Sequence, residues 1–137
     1  MLFRSEMIRQ RFTINYGFMA KPTSDFSLVV LKKLRRSGCR FIYWGVESGS
    51  KRVLELMDKG TNPDEVITLM KECRIAGISP LATLIFGYPS QKRSDVIENI
   101  KFLLKIKKYV RFFFINNFEL QRDSLVAQDH HKFKIGH

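Results

Sequence analysis

Runs rich in β-branched and aromatic residues alternate along this chain with segments of helical period, and that order restricts the fold more than any other feature. The runs are "RFTINYGF" (Arg11–Phe18), "FIYWGV" (Phe41–Val46), "PLATLIFG" (Pro80–Gly87) and "VRFFFINNF" (Val110–Phe118). Gly, Pro or polar residues bound each of them, as they bound buried strands. Between the first two, Leu28, Leu31 and Leu34 recur every third residue, and Gly38 stands where a helix carboxyl cap belongs. In "TNPDEVITLMKECRIAGI", Asn62 reads as the N-cap, Pro63 as the first helical residue and Glu65 as the reciprocal capping acid. Val66, Met70 and Cys73 mark the buried stripe of that helix, and Gly77 ends it. A further helix starts near Ser94 and is expected to bury Val96, Ile97, Ile100, Leu103 and Leu104. The order βαβαβαβ implies an α/β fold with a parallel sheet and right-handed crossovers.

At 137 residues the chain is one domain's worth or less. Its 45% hydrophobic and 12% aromatic content supports a core and argues against disorder. No apolar run reaches the roughly 18 to 20 residues of a membrane span, and "MLFRSEMIRQRF" lacks the apolar stretch of a secretory signal. The expected setting is therefore soluble and cytoplasmic, with no membrane. Cys39 and Cys73 are spaced for neither a disulfide framework nor a zinc site, and read as buried free thiols. The net charge of +11 admits nucleic acid or an anionic substrate. Yet the basic residues of "LKKLRRSGCR" and "IKFLLKIKKYVR" fall opposite the apolar positions, as on solvated helix faces. RNA stays a weakly supported partner.

"YWGVESGSKRVLELMDKG" begins as a buried strand and ends as an amphipathic helix, with Glu47-Ser48-Gly49-Ser50 between. In a parallel sheet the residues after each strand share one rim, where ligands bind. Collecting them gives Glu47, Ser48 and Ser50, then Gly87, Tyr88, Pro89 and Ser90, then Asn116, Asn117 and Glu119. A carboxylate accepts two hydrogen bonds from a vicinal diol, so Glu47 suits a ribose. It equally suits a cap on the helix that follows.

"GCRFIYWGVESGSKRVLELMDKG", a second helix, then "GISPLATLIFGYPS" and an acidic-led helix together resemble the radical S-adenosylmethionine (SAM) superfamily. Within it, they are most similar to the branch that often carries a cobalamin-binding domain ahead of its core. The resemblance covers about residues 11 to 125 and rests on G-V-E-S-G-S, then K-G, then G-x-P. It implies a partial TIM-type barrel of which this chain holds about four of six strands. Residues 1–10 would then be the remnant of a preceding helix, and residues 126–137 a polar tail. It also implies S-adenosylmethionine as cofactor. Glu47 takes the position that contacts the cofactor near its ribose, and Ser48 and Ser50 complete that turn. Lys59 matches a basic position that holds the methionine carboxylate in a related enzyme, although a lysine near a helix carboxyl end is also favoured by the dipole. Thr83 occupies a strand position often acidic in relatives, and Gly87, Tyr88 and Pro89 match the loop whose backbone approaches the adenine.

One departure bears on chemistry. The family holds a [4Fe-4S] cluster through three cysteines in a C-x-x-x-C-x-x-C loop after the first barrel strand. Cys39 and Cys73 are only two, and neither lies in such a loop, so no metal or catalytic residue is assigned. The expectation is a truncated radical SAM core that carries the ribose and adenine side and is inactive alone. Its partner would be the missing amino-terminal half of the core, or other chains at open sheet edges. Cobalamin would belong to a full-length relative. The alternative is a non-catalytic nucleotide- or RNA-binding module, for which strongly salt-dependent RNA affinity would speak. A phosphate-binding enzyme is disfavoured, since no glycine-rich phosphate loop follows any strand. "QRDSL" (Gln121–Leu125) reads as a surface loop, and His130, His131 and His137 lack partners at ligand spacing.

Overall fold

The structure, a computed structural model, describes residues 14–119. The expected helix remnant at 1–10, the expected start of the first strand at 11–13, the "QRDSL" segment read as a loop, and the tail with its three histidines lie outside the described residues.

Four strands, β1 (Tyr16–Ala20), β2 (Cys39–Glu47), β3 (Ser79–Phe86) and β4 (Phe113–Asn117), form one sheet in the order β1-β2-β3-β4. Every neighbouring pair is parallel, so β1 and β4 are its two edges among the described residues. The connections carry α1 (Leu28–Arg36), a short α2 (Lys51–Leu56), α3 (Pro63–Ala76) and α4 (Arg93–Ile106). The expected α/β class and βαβαβαβ order are therefore the observed ones, with α2 following β2 directly.

Local chemistry explains the helix ends. Ser27 caps α1, its Oγ accepting from Val30 N. Gly38, just past that helix, has φ +104°, and a Cβ there would lie 1.8 Å from the Ile14 carbonyl oxygen. Only glycine fits where β1 enters beside the end of α1. Asn62 caps α3 by accepting from Asp64 N, and Pro63 needs no hydrogen-bond partner at the first position. The helix ends at Gly77, where Ile78 N donates to Cys73 O and Gly77 N to Arg74 O, as in a Schellman motif.

One face of the sheet carries the core. Ile42, Trp44 and Val46 of β2, with Ala82 and Leu84 of β3, pack against Leu31 of α1, Val66, Met70 and Cys73 of α3 and Phe102 and Ile106 of α4. Trp44 is fully buried and meets Phe26 edge-to-face at 4.8 Å. The intervening positions face the other way, where Tyr43 lies 5.8 Å from Phe41 and 5.2 Å from Phe114.

Helix α4 departs from its sequence reading. Its buried residues are Asp95, Asn99, Phe102 and Ile106, while Ile97, Ile100 and Leu104 are about half exposed. Val96 and Leu103 are half-buried at the margin. The helix is rotated because two of its polar side chains have partners on the turn after β2, and those partners outweigh the solvation of a polar face.

Candidate functional site

Glu47 ends β2 in an unusual backbone state. The pairing of β2 with β3 shifts register between Gly45 and Glu47, Gly45 opposing Thr83 and Glu47 opposing Leu84, so Val46 is an extra residue. Such a bulge bends a strand and re-aims the next side chain. Glu47 then takes φ +67°, and Ser48 N donates to Val46 O across it at 2.8 Å. That is a γ-turn of positive φ, a rare and strained form. Its carboxylate lies back over Gly45, where a Cβ would come within 3.1 Å of Oε1. The side chain keeps 17% of its surface exposed, enough to meet a ligand at the rim.

The following turn is locked to α4. Ser48 Oγ and Gly49 N both donate to Asn99 Oδ1, at 2.8 and 2.6 Å. Ser50 Oγ donates to Asp95 Oδ1 at 2.8 Å. Gly49 sits so close that a Cβ there would meet the Cβ of Phe102 at 2.4 Å. Ser48 and Ser50 are fully buried, so neither presents its hydroxyl to the rim in this structure. Both shape the turn from within.

Asp95 gathers several donors. Arg52 reaches it through Nη2 and through Nε at 3.2 Å, and Lys92 N donates to Oδ2 at 2.6 Å, capping α4. The Arg52 guanidinium, helped by the Lys92 amide and the Ser50 hydroxyl against the opposing effect of burial, holds the carboxyl down at about 2. Arg52 also donates to Ser90 O at 2.8 Å, tying the rim turns after β2 and β3 together.

Lys59 reaches the site because α2 ends early. Asp58 adopts φ +52°, with Asp58 N donating to Glu55 O and Lys59 N to Leu54 O, which reverses the chain. Lys59 Nζ then lies 3.3 Å from Glu47 Oε1. Thr83, opposite Gly45, donates its hydroxyl to Trp44 O at 3.2 Å. Gly87 is exposed with φ +75°, its N–H donating to Gln91 Oε1 at 2.7 Å, and no atom lies within 4 Å of where its Cβ would be. Tyr88 turns inward against Val53, Leu56, Met57 and Phe118, and burial raises its phenol above its ordinary range. Pro89 is half-buried beside it. The structure thus brings Glu47, Lys59 and Thr83 to one end of β2 and β3, with the open Gly87 backbone on the same rim.

Arg52, Asp95 and Asn99 escaped the sequence reading. The signal lay in "RSDVIENIKF", where Asp95 and Asn99 are four apart and in phase with Phe102 and Ile106.

The family profile of the radical SAM superfamily matches residues 4–103. The chain belongs to the radical SAM superfamily. An uncharacterized methyltransferase of Pyrococcus horikoshii is 36% identical to it over 83 residues, 61% of this chain and 18% of that protein. Coproporphyrinogen III oxidase from Escherichia coli, a radical SAM enzyme, superposes with a TM-score of 0.73 at 21% identity, over 93% of this chain and 30% of that one. A radical SAM methyltransferase from Kitasatospora setae, solved with cobalamin and a [4Fe-4S] cluster, superposes with a TM-score of 0.68 at 19% identity, over 83% of this chain and 24% of that one. The four-stranded sheet is thus built like part of a radical SAM core, and the chain spans less than a third of each of these proteins.

The described residues do not fit a radical SAM cluster. Cys39 and Cys73 are both fully buried, burial pushing their thiols up to about 11 and about 12, and two thiols fall short of the three that such a cluster needs. Among the described residues no group of three or more His, Cys, Asp or Glu is placed to hold a metal ion. Nor is any helix there long and apolar enough to cross a membrane.

Proposed function

We propose that residues 14–119 bind the nucleoside half of S-adenosylmethionine within a radical SAM core, the cluster being held by residues other than these. The observation that carries this reading is Glu47. A strained γ-turn, a bulge and a side-chain-free Gly45 combine to lay one carboxylate over the carboxyl end of β2, beside Lys59. A carboxylate offers about four acceptor sites. Lys59 uses one of them, which leaves room for the two hydroxyls of a ribose. The ion pair also keeps the Glu47 side chain turned toward the rim. Gly87 supports an adenine nearby, since its exposed, side-chain-free backbone lets a planar ring approach closely. Lys59 is engaged by Glu47 here, so its reach to the methionine carboxylate would be a second contact made on binding. No described residue is assigned to cobalamin.

Saturation-transfer NMR of the 137-residue chain with S-adenosylmethionine tests this without needing a cluster. Ribose and adenine protons should receive saturation. Glu47→Ala should weaken binding about ten- to a hundredfold, because a charged acceptor contributes ~1.5 to 3 kcal/mol per hydrogen bond, and Glu47→Gln should do less harm. A Glu47→Ala chain that melts at lower temperature yet binds as before would make the carboxylate only a structural group.

A further inference from the structure

The γ-turn at Glu47 needs something to hold it. A non-glycine residue at φ +67° is strained and persists only where its surroundings over-determine it. The two residues that follow supply that constraint, and both end on a single atom. Ser48 Oγ and Gly49 N donate to Asn99 Oδ1, and Ser50 N donates back to Ser48 Oγ at 3.1 Å. The Gly49 N–H fixes which end of the amide is oxygen, since it can only donate. Asn99 is fully buried, on the face of α4 shared with Phe102 and Ile106, where an apolar residue would suit the core. Its Nδ2 has no partner among the described residues, so the two turn contacts are what its oxygen contributes.

We propose that Asn99 is a positioning residue that sets the direction of the Glu47 carboxylate, acting through Ser48 and Gly49. The inference rests on the cofactor reading above for its functional meaning, but not for its geometry. Ser50 and Asp95 fasten the far side of the same turn, so loss of Asn99 alone should loosen the turn and leave the helix attached.

The test measures S-adenosylmethionine affinity of the whole chain for Asn99→Ala, Glu47→Ala and the double variant. A residue that acts only through Glu47 gives a non-additive cycle. Asn99→Ala should weaken binding roughly tenfold, and the double variant should bind no worse than Glu47→Ala. Asn99→Asp keeps the acceptor oxygen and should recover most of the affinity. Unchanged affinity in folded Asn99→Ala, or additive losses, would overturn the proposal. A ligand-free readout separates this from failure of the cofactor reading. Asn99→Ala should speed hydrogen exchange at the Gly49 amide and change the three-bond coupling that reports φ of Glu47. If Glu47→Ala leaves affinity untouched, the cofactor reading falls, and an unchanged Glu47 coupling in Asn99→Ala would then refute the positioning role as well. Should Asn99→Ala fail to fold, Ser48→Ala removes one of the two links with a smaller change and carries the same expectations.

Discussion

Gly45 shows how a residue without a side chain can serve a charged one. The nearest obstacle to a Cβ at this position is Glu47 Oε1 at 3.1 Å, followed by Ala20 O at 3.8 Å. Any larger residue competes with the carboxylate for the same space. A β-branched residue is otherwise better suited to a strand than glycine. Gly45→Val should therefore leave the melting temperature level or slightly higher while weakening S-adenosylmethionine binding, and paired melts and titrations would reveal that split. A fall in both would mean that the added isopropyl group clashes with backbone instead of moving the carboxylate. Asp95 makes a different residue-scale prediction, about pH. Arg52 first, then the Lys92 amide and the Ser50 hydroxyl, lower its folded pKa from 3.8 to about 2. A depressed carboxyl contributes stability that is fully present above its unfolded value and is lost as pH falls through the folded one. The window is thus roughly pH 4 down to 2, and the contribution is ~1–2 kcal/mol after allowing for solvent around the partly exposed Arg52. Subtracting Asp95→Asn unfolding curves from the parent's between pH 6 and 2 isolates it. A difference that stays constant with pH would show that Arg52 gains nothing from the ionised carboxyl.

At the scale of the element, α4 carries the question of which face is inside. Phe102 is 3% exposed, packs against the turn at Gly49 and belongs to the main core, whereas Ile97, Ile100 and Leu104 are 47%, 49% and 57% exposed. Phe102→Ala should cost about 3–5 kcal/mol, as large-to-small changes in a packed core do. Ile100→Lys should cost about 0.5 kcal/mol or less, in the range of surface substitutions. Urea unfolding of the two variants checks the order, and a reversed order would mean that the helix is turned the other way. The sequence pattern pointed to the wrong face for a physical reason. It assigns polar side chains to water, but Asp95 and Asn99 find their partners on residues 45 to 51 positions away. Elements whose period matches their burial were legible: β2 and β3 within two residues at each end, and Val66, Met70 and Cys73 of α3. The place of Glu47 at the end of a strand was legible too, and the structure sets Lys59 beside it. The bulge at Val46, the γ-turn and the Arg52–Asp95 pair were not, because each exists only once β2, β3 and α4 have met.

For the molecule as a whole, apolar surface and charge pull in opposite directions. Each edge strand leaves one side unpaired among the described residues, and Met19, Phe114 and Ile115 on them are 74%, 40% and 58% exposed. Phe112, just ahead of β4, adds another 56% exposed ring. Open edges with apolar side chains recruit further strands, whether from the rest of a longer polypeptide or from other copies of this chain. The net charge of +11 opposes association between copies. That repulsion weakens as salt shortens the Debye length from about 10 Å at 0.1 M to about 3 Å at 1 M, while burial of apolar edges does not weaken with it. Self-association of the chain should therefore increase with salt. Sedimentation velocity at tens of micromolar protein in low and high sodium chloride reads this directly. Met19→Lys with Ile115→Lys should suppress association at both ionic strengths and leave the melting temperature nearly unchanged, since both side chains are more than half exposed. Association that weakens as salt rises would mean that opposite charges, not the apolar edges, bring the copies together. A monomer under all these conditions would mean that β1 and β4 are not the adhesive edges the fold suggests.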